Sequence, residues 1–137
     1  MRDYYADSTV LTKCYVDERG TEFMLRLVAD SSNWVFCSAV GEVEVVSALA
    51  RRGYGDRLPS SVVETKVSEA RADFDRKYHV VTITADLLSM ACAVAQRRRL
   101  RGYDAVHLAT ALSISRAGRR LSRARTAPGA CARRAPG

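Results

Sequence analysis

Short apolar runs alternate with longer stretches of helical periodicity along most of this 137-residue chain, and that alternation restricts its fold more than any other feature. Residues 3–7 are rich in aromatic side chains and end in the polar turn Asp7-Ser8-Thr9, which predicts a first strand. Val10, Leu11, Cys14 and Tyr15 then recur at helical spacing. Gly20-Thr21-Glu22 opens a second helix through Phe23, Met24, Leu27 and Val28. Residues 33–40 are apolar and partly β-branched, as in a buried strand. Residues 41–52 follow as a helix with Val43, Val46, Leu49 and Ala50 on one side, ended by Gly53 and Gly55. Pro59 starts a charged helix toward Tyr78, and residues 79–84 form a third strand. Residues 85–100 form another helix, and Asp104 opens the last clear one, through Ala111 to about Ile114. Strands alternating with helices predict an α/β fold, a three-layer α/β/α domain around a parallel sheet.

Composition separates this domain from the C-terminal residues. The length suits one domain, here residues 1–115. No apolar run is long enough to span a membrane, and the first residues show no apolar signal core, so a cytoplasmic protein is expected. Cys14, Cys37, Cys92 and Cys131 are widely spaced, with no Cys-x-x-Cys pair, which argues for inert thiols rather than a zinc site. The net charge of +7 comes from the C-terminal end. No acid follows Asp104, whereas seven arginines do. From Arg116 the sequence is mostly Arg, Ala, Gly, Pro and Ser with Leu121 as its one large apolar residue, so residues 116–137 are expected to form a disordered tail.

In an open parallel sheet, ligands bind beyond the carboxyl ends of the strands. Asp7 ends the first strand, and Glu44 and Asp104 each lie early in a helix that can start from that same edge. Carboxylates grouped without basic neighbours suit hard, oxygen-seeking ions such as Mg²⁺ or Mn²⁺. Each acid has a structural reading too. Asp7 suits the N-cap of a helix starting at Ser8, and Asp104 the same role before Ala105. Glu44 suits a solvated helix position seven residues before Arg51.

Three blocks carry a resemblance. Asp7-Ser8-Thr9-Val10-Leu11-Thr12-Lys13-Cys14-Tyr15-Val16 looks like the opening of VapC-type PIN domains. The stretch from Ser38 to Arg51 resembles that family's second block, whose acid lies four residues before an Ala-Leu pair, which selects Glu44 over Glu42. Leu100-Arg101-Gly102-Tyr103-Asp104-Ala105-Val106-His107-Leu108-Ala109-Thr110-Ala111-Leu112 resembles the third-acid block almost residue for residue. The resemblance implies a Mg²⁺- or Mn²⁺-dependent endoribonuclease acting on tRNA or rRNA, a homodimer, and inhibition by a VapB-type antitoxin. It also implies Asp7, Glu44 and Asp104 as catalytic metal ligands, with Ser8 or Thr9 orienting a carboxylate or a metal-bound water. His107 reads as a packed helix residue rather than a base.

The family pattern continues with a further strand, a Thr/Ser-x-Asp turn carrying a fourth acid, and a closing helix. This sequence offers no acid after Asp104 and no β-branched run after Leu112, so the last strand and helix are expected to be missing. An Arg/Ala/Pro/Gly tail after Ala111 is also what out-of-frame translation gives. Thr84-Ala85-Asp86-Leu87-Leu88 resembles the fourth-acid turn but precedes Asp104, and fits the start of the preceding helix instead. Two alternatives stand beside a weakened ribonuclease. One is a catalytically inactive binding module that keeps antitoxin or dimer contacts. The other is an arginine-rich arm that folds on RNA, although it has no aromatic residue to stack on bases.

Overall fold

The computed structural model of the protein describes residues 2–121, with side chains through Ala117. Strands β1 (Arg2–Tyr5), β2 (Asn33–Ser38) and β3 (His79–Val81) form a parallel sheet in the order β1-β2-β3. The helices are α1 (Ser8–Thr12), α2 (Thr21–Ala29), α3 (Val40–Gly55), α4 (Ser60–Arg76), α5 (Ala85–Arg98) and α6 (Gly102–Leu121). The register pairs Tyr4 with Val35, Tyr5 with Phe36, and Ser38 with Val81. Strand side chains alternate between faces, so Val35 and Cys37 point one way and Phe36 and Ser38 the other.

The first face carries the main core. Val35 and Cys37 pack with Leu11 and Tyr15 from the α1 segment, Val45 and Leu49 of α3, and Ala70 and Phe74 of α4. Apolar residues at three- and four-residue spacing put one side of each of these helices inward. Gly53 lets α3 and α4 approach closely, since a Cβ there would lie 2.3 Å from Val63 Cγ2. On the second face α6 meets β2, and α5 packs along α6. Leu87, Ala91, Ala105 and Ala109 are buried on that side. These layers match the α/β/α expectation.

Two boundaries differ instructively from the sequence reading. The third strand stops at Val81 rather than Thr84, because Thr84 turns to cap α5 and accepts the Leu87 N–H through its hydroxyl at 3.1 Å. The last helix runs to Leu121, past the end expected near Ile114. Ala, Leu and Arg are strong helix formers, so residues too polar to build a core can still prolong a helix already begun. The domain limit expected at residue 115 therefore falls inside α6, and the rest of the predicted tail, 122–137, lies outside the described residues.

Candidate functional site

All three strands end at one edge of the sheet, and the residues just beyond them set up the site. Past Tyr5, the Ala6 N–H still donates to the Phe36 carbonyl at 2.9 Å, and Asp7 follows in an extended conformation with φ −80° and ψ 174°. That geometry suits an N-cap: Asp7 Oδ1 accepts the Val10 N–H at 2.9 Å. Asp7 is exposed, so capping takes one oxygen and leaves the carboxylate facing solvent at the strand edge. The capping role and a role at the edge thus fall on the same residue.

Glu44 stands in the second turn of α3, which begins at Val40, two residues beyond the end of β2. Its carboxylate is half-buried rather than solvated, with Oε1 2.6 Å from His107 Nε2. The other ring nitrogen of His107, Nδ1, lies 2.7 Å from the Tyr5 hydroxyl. An ionised carboxylate can only accept, so Nε2 carries the proton that bonds Glu44. In the neutral ring Nδ1 then accepts, and Tyr5 is the donor. Burial, which is the largest influence, pushes the Tyr5 pKa up, and nearby Cys37 and Asp7 push the same way against the Thr110 hydroxyl and the Ser38 backbone. Tyr5 therefore keeps the proton it donates.

Asp104 occupies the first turn of α6, exposed, three residues before His107. Residues three apart share a helix side, about 4.5 Å along the axis. A carboxylate there also complements the helix dipole. The Tyr5–His107–Glu44 chain joins β1, which leads into Asp7, with α3 and α6, whose early turns carry Glu44 and Asp104.

The donor chemistry, carboxylates without thiols, fits a hard divalent ion. Among the described residues, however, no group of three or more Asp, Glu, His or Cys side chains stands close enough to hold one. Mg²⁺ usually takes one or two carboxylates and completes its shell with water and substrate phosphate, so the residues fit an ion held in that way rather than in a closed protein cage. Among the described residues neither Ser8 nor Thr9 bonds a carboxylate through its hydroxyl. Asp86 lies exposed in the first turn of α5, a position explained by the Thr84 cap. Cys37 is fully buried, and desolvation pushes its thiol pKa up to about 12, in keeping with an inert packing role.

Sequence reasoning did not single out Tyr5 and took His107 for a packing residue. His107 is indeed packed, at 8% exposed, but it also bonds at both ring nitrogens. The available signals were spacing alone: Tyr5 two residues before Asp7 and His107 three after Asp104. No curated protein matches the chain. The family model for the PIN domain matches residues 4–117, a span that holds β2, β3, the end of β1, all three acids and the Tyr5–His107–Glu44 chain, and the protein belongs to the PIN domain family.

Proposed function

We propose that this protein is a VapC-type toxin, an endoribonuclease that cleaves RNA phosphodiester bonds with Mg²⁺ or Mn²⁺ at Asp7, Glu44 and Asp104. Membership of the PIN family suggests a nuclease, and its members are generally metal-dependent. The observation that carries the reading is the Tyr5–His107–Glu44 chain, which links the strand leading into Asp7 with the two helices that bear Glu44 and Asp104. A divalent ion bound there supplies charge stabilisation to a phosphodiester under attack. The chain's own residues present acceptor oxygens at the strand edge. Asp7 and Asp104 are exposed there, while Glu44 is held from behind by His107. The absence of any acid after Asp104 removes anionic charge that would retain the ion, so turnover is expected to be slow. A VapB-type antitoxin and a second copy of the chain complete the proposed assembly.

Incubation of the purified protein with tRNA and rRNA in Mn²⁺ or Mg²⁺ tests this. Slow cleavage that stops with a chelator and in Asp7→Ala supports the reading. Cleavage indifferent to chelator, or none at any ion concentration, sinks it. The absence of a group of three or more potential ligands among the described residues favours a second reading, a PIN-fold module that binds its antitoxin without cutting RNA. In that case, wild type and Asp7→Ala would bind the antitoxin equally and both leave RNA intact.

A further inference from the structure

We propose that Tyr5 and His107 are positioning residues for Glu44, a hydrogen-bonded brace that fixes one carboxylate oxygen and leaves the other to face a divalent ion and RNA phosphate. The inference rests on the metal-dependent reading above and assigns roles to two residues outside the acidic set. Glu44 sits on a long side chain, and a flexible carboxylate loses rotamer freedom on binding an ion. Here Oε1 is already committed to His107 Nε2 at 2.6 Å, so part of that freedom is lost before any ion arrives. His107 cannot swing away freely, because its ring is packed at 8% exposed and its Nδ1 is bonded to Tyr5 at 2.7 Å. Tyr5 is fixed in turn by the β1–β2 register, opposite Phe36. The brace therefore runs from the rigid sheet, through one ring, to a carboxylate on α3. With an ionised carboxylate and a neutral ring, Nε2–H donates to Glu44 and Tyr5 donates to Nδ1. Hydrogen-bonded partners behind a ligand set its orientation and basicity, and their loss typically costs 10–100-fold in metal affinity.

The test uses the full chain and Mn²⁺ alone, read by electron paramagnetic resonance, so it does not depend on cleavage. Tyr5→Phe removes only a hydroxyl. His107→Leu removes both ring bonds, and His107→Gln keeps an amide donor able to reach Glu44. Far-UV circular dichroism and thermal melts establish which variants fold. The expected result is that Mn²⁺ affinity falls about 10–100-fold in His107→Leu. It should fall less in Tyr5→Phe and stay within a few-fold of wild type in His107→Gln. Wild-type affinity in folded Tyr5→Phe and His107→Leu overturns the positioning role while leaving the metal reading standing. No Mn²⁺ binding by wild type overturns the metal reading instead. The brace is then decided by ring-nitrogen NMR at fixed pH. A His107 ring held as the Nε2–H tautomer, and released from it in Tyr5→Phe and Glu44→Gln, supports it. A ring insensitive to both substitutions overturns it.

Discussion

Tyr15 and Tyr78 share a hydroxyl–hydroxyl hydrogen bond of 2.8 Å in the main core, and Tyr15 donates onward to Asp73 Oδ2 at 2.9 Å. Burial is the first cause that pushes both phenols far above the usual tyrosine range, and the charge of Asp73 adds to it. These groups are neutral when protonated, so a raised native pKa means that the unfolded chain releases protons first as pH rises. Stability is then present at neutral pH and is lost above the unfolded values, about 8.5 for Cys37 and about 10 for the tyrosines. Urea melts from pH 7 to 11 should show a steady midpoint to about pH 8 and a progressive fall beyond it. A flat profile to pH 11 would contradict this account.

Gly53 and Gly55 lie two residues apart on α3 and should respond oppositely to alanine. A Cβ at Gly53 would meet Val63 Cγ2 at 2.3 Å, whereas one at Gly55 meets nothing within 4 Å. Gly53→Ala is expected to destabilise by about 1–3 kcal/mol, as overpacked cores do. Gly55→Ala should be neutral or stabilising by up to about 1 kcal/mol. Adding Val63→Ala to Gly53→Ala should recover part of the loss in a double-mutant cycle on urea midpoints.

Ser38 is fully buried, and among the described residues its hydroxyl has no hydrogen-bond partner. An unsatisfied buried hydroxyl costs about 1–3 kcal/mol. Ser38→Ala should therefore hold or raise the thermal midpoint. A clear drop would show that the hydroxyl is satisfied in solution.

Arg99 ends α5 in the left-handed region, with φ 55° and ψ 39°. An L-residue with a Cβ costs about 1–2 kcal/mol there, and glycine avoids that clash. Arg99→Gly is expected to stabilise the fold by about 1 kcal/mol, measured as a higher urea midpoint with an unchanged slope. A lower midpoint would indicate that the Arg99 side chain makes a contact worth more than the strain.

Local signals made most of the fold legible. Asp7 announced a helix start and the β-branched run after Tyr78 announced β3, whereas Thr84 was assigned to that strand and instead caps α5. The extent of α6 was harder, because low apolar content argues against a core but not against a helix. The Thr84-Ala85-Asp86-Leu87-Leu88 segment shows why a local motif needs its place in the chain. The same residue types serve a capped helix start here. At the candidate site, block and order singled out Asp7, Glu44 and Asp104, and the structure gives a position to each. Glu44 looked like a solvated helix residue by spacing, yet it is half-buried against His107. Periodicity describes one element at a time, so it gave no hint that Tyr5 and His107 would meet. That contact depends on how α6 packs on β2, the neighbour of β1 in the sheet.

Tyr5 and His107 are 102 positions apart in the chain, and their bond ties nearly the first described residues to nearly the last element. During synthesis β1 leaves the ribosome first, and β2 and the α3–α4 pair can fold behind it. The Glu44 carboxylate, however, has no His107 to meet until α6 has emerged. A nascent chain is therefore without its braced edge until the residues around His107 have left the ribosome. An RNA-cutting activity that depends on that edge would be withheld from the translating ribosome until α6 has emerged and packed.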